Sequence, residues 1–535
     1  MTAFYFCTCM FISVSSYIVN GGETVRRSKK FFINTIILTS TSLFMRIVGV
    51  SFNVYISNKL GASGVGLFQL IMSVYVFATT LACSGINLTT TRLVAESLAD
   101  ESGKNIKNVV THCLIYSLVF GTLSAFLLFV NADYIGKEIL SDTRTIKSLK
   151  ALAMSLPAIA LSSVMSGYFT AIRKVIKSAS AQIFEQFIRI FIVIFGLNLL
   201  MPKGIEYACL AVVCGGSIAE ILSCVLQYIL YKNETEKYKN NNKPKEKITS
   251  KMLCIALPVA LSGYIRSALT TTEHILIPKK LKSYGCGSEQ ALAQYGIIHG
   301  MVMPILLFPS AFLSAFSLLL VPEVAECYAR KNNRRISKII SRIIHITLIF
   351  TIGISGILYA FANELGFMIY KSAEAGFYIK ILAPLISVMY LDGVVDAMLK
   401  GLNQQMSSMR YNILDAFLSV VLVCLLIPSF GVGGYIATIF ISEIINGFLS
   451  LNKLIKISDF KIKYYDWIIK PICAIIFSII MVKEFYFKFI NSASGSNGIL
   501  ICLIGICALI YIMMLFILSC INDDDLKMLK SMLIK

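Results

Sequence analysis

Long apolar runs alternate with short polar breaks along nearly the whole chain. A run of about 20 apolar residues is the length that one α-helix needs to span a bilayer. We predict fourteen such helices, which are numbered as segments 1 to 14 in chain order. Their ranges are 31–58, 64–86, 109–131, 148–171, 179–201, 205–231, 252–278, 292–320, 339–362, 377–400, 408–428, 432–452, 467–489 and 498–520. The pattern predicts an all-α polytopic membrane protein.

A long polar stretch at residues 232–250 divides the chain near its middle. Because it is too polar to bury, it predicts a linker between an N-lobe, residues 31–231, and a C-lobe, residues 251–455. Segments 13 and 14 and a tail then occupy residues 456–535.

Residues 1–30 stand outside this regular pattern. Residues 3–19 are apolar, but they lack the basic flank and the cleavage site of a signal peptide. An extra membrane helix, an uncleaved anchor and an extension upstream of the working protein are the three interpretations. The third is favoured because the regular pattern starts cleanly at Phe31.

Two parts of the chain about 230 residues apart resemble one another. Residues 171–187 align with residues 401–417 so that amide falls on amide, acid on acid and Phe on Phe, and residues 94–96 and 324–326 both read Val-Ala-Glu. Units of six helices, an even number, share one orientation in the membrane and form a parallel repeat. We therefore expect two six-helix lobes, with a substrate site where they meet.

Composition and charge narrow the class further. The chain has 535 residues, of which 57% are hydrophobic and 15% are charged, whereas soluble domains carry about 25% charged residues. The net charge of +20 does not predict a nucleic-acid partner, because 33 of the 49 Lys and Arg residues fall in one set of alternate loops or at the segment ends next to them. Basic loops remain in the cytoplasm, so we expect these loops and the C-terminus on the cytoplasmic side of the cell membrane.

The sequence contains no motif that predicts catalysis or metal binding. It shows no Walker A loop, no HExxH motif and no Ser-His-Asp signature. The fifteen Cys lie mostly in apolar runs and are interpreted as small buried hydrophobes. We expect neither an enzyme nor a cofactor, and coupling to the membrane potential, H⁺ or Na⁺ stays open.

Charged side chains inside predicted spans are the first candidates for function, since a central Arg costs about 2.5–3.5 kcal/mol on insertion scales. Two polar helical faces contain them: Thr39, Ser42, Arg46 and Asn53 on segment 1, and Ser262, Arg266, Thr270 and Glu273 on segment 7. Two such faces would line a hydrated cavity for an anion, and Arg suits phosphate because its planar fork donates two bonds. The alternative is that Arg46 pairs with a nearby acid and only holds helices together.

Further charged residues are candidates for gating or ion coupling: Arg92, Glu96, Glu185, Arg189, Asp392 and Asp396. Arg92 and Glu96 lie near the cytoplasmic end of segment 2, where a solvated helix end is the alternative. Glu185 and Arg189 are four residues apart, so an intrahelical ion pair is the simpler interpretation.

Segment 10 also carries Lys400 after its two aspartates, and Asp415 and Glu443 follow on the next two segments. A cation or proton site and a structural polar seam are the two interpretations of these acids, and the seam is favoured. His274, next to Glu273, is a titratable candidate, with a packing histidine as the favoured alternative.

Several of these stretches resemble one known family. Residues 34–49, 61–70, 91–96, 167–169 and 181–186 are similar to the polysaccharide-export branch of the multidrug/oligosaccharidyl-lipid/polysaccharide exporters, which includes the lipid II flippases. The resemblance runs from Phe31 nearly to the C-terminus. It implies two six-helix lobes in a V, alternating access and, in the flippases, two extra C-terminal helices.

The resemblance also implies a substrate and a site. The substrate would be an undecaprenyl-linked saccharide of the lipid II type, and in sporulating bacteria its translocation would serve spore cortex peptidoglycan assembly. Arg46 and Arg266 match positions that hold the pyrophosphate, and Glu273 matches less securely. Membrane lipids and cell-wall synthases are the expected partners.

Two other functions remain open. A cation-coupled multidrug antiporter would share the architecture but predicts an acid-dominated first lobe. A non-transporting scaffold for cell-wall synthesis would tolerate neutral residues at Arg46 and Arg266, but it would need the basic loop at residues 330–342.

Overall fold

The structure consists of helices joined by short turns. It is a computed structural model that describes residues 23–99, 106–235, 248–489 and 497–520. The interpretations of residues 1–22, of the central part of the linker and of the last fifteen residues of the tail concern residues outside these ranges.

The described residues form eighteen α-helices, numbered in chain order. They are α1 (Glu23–Cys83), α2 (Ile86–Ala99), α3 (Ile106–Tyr134), α4 (Ile146–Ala153), α5 (Leu156–Ala171), α6 (Val175–Leu200), α7 (Ile205–Thr235), α8 (Ile248–Ser283), α9 (Ser288–Tyr295), α10 (Met303–Leu307), α11 (Ser310–Ala329), α12 (Asn333–Ala360), α13 (Ala362–Tyr370), α14 (Ala373–Leu382), α15 (Ile386–Gly401), α16 (Gln405–Ser458), α17 (Lys470–Phe489) and α18 (Asn497–Ile517). Short π-helical and 3-10 turns join several of them. One π-helical turn, Gly296–Val302, follows α9 directly and is called the π turn below.

Length and composition agree with a membrane protein. Within the described ranges, eleven helical stretches are long and apolar enough to cross a bilayer, or twelve if the bent pair Thr143–Ala153 and Leu156–Ala171 forms one span. The expectation of an all-α polytopic membrane protein is confirmed.

Two of the helices are much longer than a bilayer needs. α1 has 61 residues and α16 has 54, whereas about 20 residues cross the hydrocarbon core. Each is broken by a glycine with non-helical backbone, Gly61 at φ 70° and Gly431 at φ 57°, a conformation that glycine adopts without a steric cost. Each break therefore falls where the sequence pattern separates two predicted segments.

The helices pack into two compact units. The first unit comprises Ser40–Met301 and Asn412–Ser442, and the second comprises Met1–Thr39, Val302–Tyr411 and Glu443–Lys535. This grouping follows helix packing rather than the internal repeat. The division into an N-lobe and a C-lobe stays a prediction.

An apolar cluster in the first unit fixes the start of α8. Tyr168 and Tyr231 lie at its centre with their rings 5.0 Å apart and nearly perpendicular, a favourable arrangement for aromatic pairs. Met252 and Ala256 of α8 belong to the same cluster and are 2% and 0% exposed. Burial of this apolar surface holds the beginning of α8 against the other helices of the unit.

α9 and the π turn cross α1 at backbone contact. A Cβ atom at Gly66 would lie 2.0 Å from the carbonyl oxygen of Leu292, and one at Gly296 would lie 2.2 Å from that of Ala62. Small residues that let two backbones approach are common where membrane helices pack. The crossing depends on glycine at both positions.

Gly66→Ala should therefore destabilise the protein by about 1–3 kcal/mol, because the added methyl group must push the two backbones apart. We expect a lower midpoint of thermal unfolding, measured in detergent by size-exclusion chromatography after heating. Gly49→Ala is the matched control, since a Cβ at this position in α1 meets no atom within 4 Å. Equal midpoints for the two variants would contradict the close crossing.

Candidate functional site

The polar face predicted on segment 1 lies on α1. Arg46 is exposed on this helix. Asn53 donates from Nδ2 to the carbonyl oxygen of Gly300 over 3.1 Å, which connects α1 to the π turn. The side chains of Thr39 and Ser42 are outside the described part of the structure.

The predicted charged face of α8 lies near an acid on α16. Arg266 is exposed, and both Arg266 and Glu273 lie within electrostatic range of Asp415. Ser442 donates from Oγ to the Asp415 carboxylate. The structure thus brings one predicted arginine and Glu273 together with Asp415, so the surroundings of Arg266 are not purely cationic.

Two other predicted members of this face make no hydrogen bond to another helix within the described ranges. Ser262 donates from Oγ to the carbonyl oxygen of Val259 over 2.9 Å, within its own helix. Thr270 is partly buried. Their hydroxyls add polarity to the face without fixing its position.

A second polar face of α8, which sequence reasoning missed, fixes the helix along α1 and the turn that follows α1. Ser84 and Tyr264 share a hydrogen bond, Thr80 donates to Ser267 over 3.2 Å, and Thr271 donates to the carbonyl oxygen of Ser73 over 3.0 Å. These contacts recur at every turn or so of α8. One face of this helix is held by neutral hydrogen bonds while the other presents charge.

The predicted gating pair Arg92 and Glu96 extends into a link between helices. Arg92 contacts Glu96 over 3.2 Å within α2, and Lys251 at the start of α8 contacts the same carboxylate over 2.9 Å. Arg92 is 63% exposed and Glu96 is 38% exposed, so each contact is individually weak. Together they connect α2 and α8 at the end predicted to be cytoplasmic.

The predicted pair Glu185 and Arg189 is part of a larger network. Arg189 donates from Nη2 to Glu185 over 2.6 Å within α6, as the intrahelical interpretation expects. The same nitrogen lies 3.5 Å from Glu220 of α7. Tyr75 of α1 donates to Glu220 over 2.6 Å and lies 2.8 Å from the hydroxyl of Ser155.

Glu220 and Tyr75 are functional candidates that sequence reasoning missed. Glu220 is 16% exposed and stands in an otherwise apolar and small-residue stretch of segment 6, which is the signal that identifies an ionisable group inside a span. Tyr75 carries no formal charge and is not distinguishable from a core aromatic by pattern. Two carboxylates and one guanidinium give this network a net negative charge when all are ionised.

In the second unit, the acids of segment 10 are held by polar neighbours. Asn446 donates to Asp392 over 3.0 Å, Ser408 donates to Asp396, and Lys400 lies 3.6 Å from Asp396. These contacts are those of a polar seam. The ion-binding interpretation of the two aspartates stays a prediction.

A cavity of about 410 Å³ lies beside this seam. Asp396 and Lys400 line it from α15, and Ser310, Ser314 and Ser317 line it from α11. The remaining lining is apolar. Among the described residues, no group of three or more His, Cys, Asp or Glu side chains could hold a metal ion.

Bundled spanning helices that carry charged side chains are typical of membrane proteins with a substrate or ion pathway, and transporters are one class of these. The family model described as polysaccharide biosynthesis protein matches residues 31–327, more than half of the chain. The chain therefore belongs to this family. A second model, MatE, matches residues 283–425.

Similar proteins support this assignment over nearly the full length. Stage V sporulation protein B of Bacillus subtilis (strain 168) is 28% identical over 514 residues, which cover 93% of this chain and 97% of that protein. Lipid II flippase MurJ of the same organism is 21% identical, covering 80% of this chain and 83% of the flippase.

A solved structure shows the fold. The structure described as lipid II flippase MurJ in an inward closed conformation aligns with a TM-score of 0.69 at 14% identity, covering 90% of this chain and 98% of that one. The chain is a multi-pass membrane transporter of the multidrug/oligosaccharidyl-lipid/polysaccharide superfamily, whose members are not enzymes.

Tyr75→Phe should destabilise the first unit, because it removes a donor to the buried carboxylate of Glu220. An unsatisfied buried polar group costs about 1–3 kcal/mol, so we expect a lower midpoint of thermal unfolding in detergent. Tyr134→Phe is the matched control, since Tyr134 is 61% exposed. A Tyr75→Phe variant as stable as the control would mean that the hydroxyl does not support Glu220.

Proposed function

We propose that this protein is a flippase that translocates an undecaprenyl-linked saccharide of the lipid II type, in the service of spore cortex peptidoglycan synthesis. The observation that carries the proposal is the pair of exposed arginines, Arg46 and Arg266, on two membrane-spanning helices of one unit. The similarity to a sporulation protein and to a lipid II flippase over most of the chain supports the substrate class.

The chemistry of the substrate explains why arginine belongs at these positions. A lipid-linked saccharide carries a pyrophosphate that must leave water while its prenyl tail stays in lipid. An exposed arginine inside a span is stable where water or an anion contacts it. Arg46 and Arg266 would bind the pyrophosphate through their planar forks, and Asn53, Ser262 and Thr270 would add neutral contacts to the headgroup.

Alternating access would move the headgroup across the membrane. In this proposal the inward-open protein binds the headgroup, changes to an outward-open conformation and releases the headgroup outside. The empty protein then returns to the inward-open conformation. Because each elementary charge moved across the membrane is worth about 2.3 kcal/mol per 100 mV, the membrane potential would help to return the empty site in any state in which its positive charges outnumber its carboxylates.

The proposed architecture has fourteen spans: two six-helix lobes related as parallel repeats, followed by two C-terminal helices. The glycine breaks at Gly61 and Gly431 support this number, because each divides a helix of more than 50 residues into two stretches of spanning length. The distribution of Lys and Arg supports a cytoplasmic C-terminus and cytoplasmic linker.

Reporter fusions test this topology. Green fluorescent protein fused after Lys535 or within residues 236–247 should fluoresce, because it folds in the cytoplasm. Alkaline phosphatase fused within residues 279–287 should be active, because that loop is expected outside. Fluorescence of a fusion in the latter loop would contradict the assignment.

Replacing both arginines should abolish flipping. We expect Arg46→Ala with Arg266→Ala to lower the amount of lipid II accessible at the outer leaflet by at least about tenfold, since several kcal/mol of charge-assisted binding are lost. The measurement is the accessibility of newly made lipid II in cells depleted of the protein and then resupplied with each variant.

The matched control removes two charges outside the spans. Arg330→Ala with Arg334→Ala changes two exposed arginines near the start of α12 and should leave flipping intact. A scaffold predicts the reverse: the control pair would fail and the pair within the spans would function. Retained flipping by Arg46→Ala with Arg266→Ala, at normal expression, removes the proposed binding site.

A cation-coupled multidrug antiporter is the second candidate function. The match of the MatE model to residues 283–425 favours it, and the net negative network around Glu220 has the charge that a cation site requires. Drug efflux that depends on the native protein, without any effect on lipid II accessibility, would favour this candidate over the flippase.

A further inference from the structure

Three aromatic rings, from α8, α9 and the π turn, lie together inside the first unit. The rings of His274 and His299 have centroids 4.3 Å apart, and the Tyr295 ring stacks on His299 at 5.6 Å with an interplanar angle of 6°. Tyr295 is 0% exposed. Neither Nδ1 of His274 nor the hydroxyl of Tyr295 has a hydrogen-bond partner in the part of the chain that the structure describes.

Unpaired buried polar atoms of this kind are uncommon. Most buried polar groups in folded proteins have at least one partner, and exceptions often have a redox, catalytic or ligand-binding reason. This stack contains two such unpaired atoms, Nδ1 of His274 and the hydroxyl of Tyr295. Both belong to side chains that donate and accept protons, which indicates a site that is incomplete without a further ligand. A proton is one ligand that an imidazole nitrogen binds.

The charged side chains near the stack favour the binding of one proton. Glu273 lies within electrostatic range of Tyr295, Tyr435 and Asp415, and Asp415 lies within range of Arg266. With both histidines neutral, the two carboxylates outnumber the single arginine by one charge. Uptake of one proton by the group would balance it, which makes proton binding electrostatically favourable.

We propose that Glu273, His274 and His299 form a proton-binding site that holds one exchangeable proton. Its titratable neighbours are Tyr295 from α9 and Tyr435 and Asp415 from α16, and Arg266 is the nearby cation. The role of this proton in transport rests on the proposed function, whereas its binding does not.

The π turn links this site to the crossing of α9 and α1. His299 lies between Gly296, which contacts the backbone of Ala62 and Gly66, and Gly300, whose carbonyl oxygen accepts the hydrogen bond from Asn53. Extra residues in a helical turn occur frequently at functional sites. A change of charge on His299 therefore acts on the segment that holds α9 against α1.

Nuclear magnetic resonance of the full-length protein in lipid nanodiscs measures proton binding without any transport assay. The chain has only four histidines, so ¹⁵N-histidine labelling gives few ring signals, which His→Gln variants assign. Between about pH 4 and 8, a range extended downward because burial disfavours a charged ring, the rings of His274 and His299 should change together in one step. His112 and His345, which lie elsewhere, should change independently of that step.

Glu273→Gln should move the shared step by at least about one pH unit, a tenfold change in proton affinity. Glu206→Gln is the matched control, because Glu206 pairs with Lys147 away from the stack and should leave the step unchanged. Histidine rings in the native protein that do not respond over this range, or a step that is indifferent to Glu273→Gln, would overturn the proposal and leave the two histidines as packing residues.

Transport measured in proteoliposomes separates proton coupling from flipping. With lipid II as substrate and a pH-sensitive dye inside, native protein should move protons together with lipid II, and His299→Gln should lower this movement by about tenfold while His112→Gln retains it. If lipid II is flipped without proton movement, the proposed coupling is overturned and the proposed flippase function stands. If His274 and His299 titrate in one step but lipid II is not flipped, the proton-binding site stands and the proposed function is overturned.

Discussion

The cost of placing charge in hydrocarbon is the constraint on which the rest of this structure depends. Each ionised group inside a spanning helix must contact water, an opposite charge or a polar group. In the first unit Glu220 is contacted by Tyr75 and Arg189, and in the second unit Asp396 is contacted by Ser408 and Lys400. Glu220 and Asp396 are therefore paired with side chains of neighbouring helices, and these pairs connect α1, α6 and α7 in the first unit and α15 and α16 in the second.

α8 is held in place by neutral contacts on one face and carries charged side chains on another. Its neutral face, through Tyr264, Ser267 and Thr271, is hydrogen-bonded along α1, and the apolar cluster around Tyr168 fixes its start. Its other face carries Arg266 and Glu273 toward Asp415. Because the neutral contacts hold the helix, the charged side chains need not contribute to packing, and they remain available to a ligand.

The sequence predicts the spans and the local ion pairs well, because both depend on spacing along one helix. Glu185 and Arg189 are four residues apart and contact each other as expected. The contacts of Tyr75 with Glu220 and Ser155 join three distant parts of the chain. They therefore depend on how α1, α7 and the start of α5 pack together. Tyr264, Ser267 and Thr271 were missed because neutral polar residues stand out less in an apolar helix than charged ones.

The histidine stack was missed for a related reason. His274 alone suggests a packing residue, and only the π turn brings His299 onto its ring. Spacing along either helix does not reveal this contact, because an extra residue in the turn changes which face His299 occupies. Side chains on α8 and in the π turn thus combine into a site that neither element predicts by itself.

The balance of charge on the first unit connects the proposed proton site to the proposed substrate. Without a proton, Glu273 and Asp415 together outweigh Arg266, so an anionic pyrophosphate would be attracted weakly to this face of α8. One added proton brings the balance of this group to neutral. Proton uptake would then strengthen binding of the headgroup, and loss of the proton would weaken it. By linkage, the headgroup would raise the affinity for the proton by the same factor.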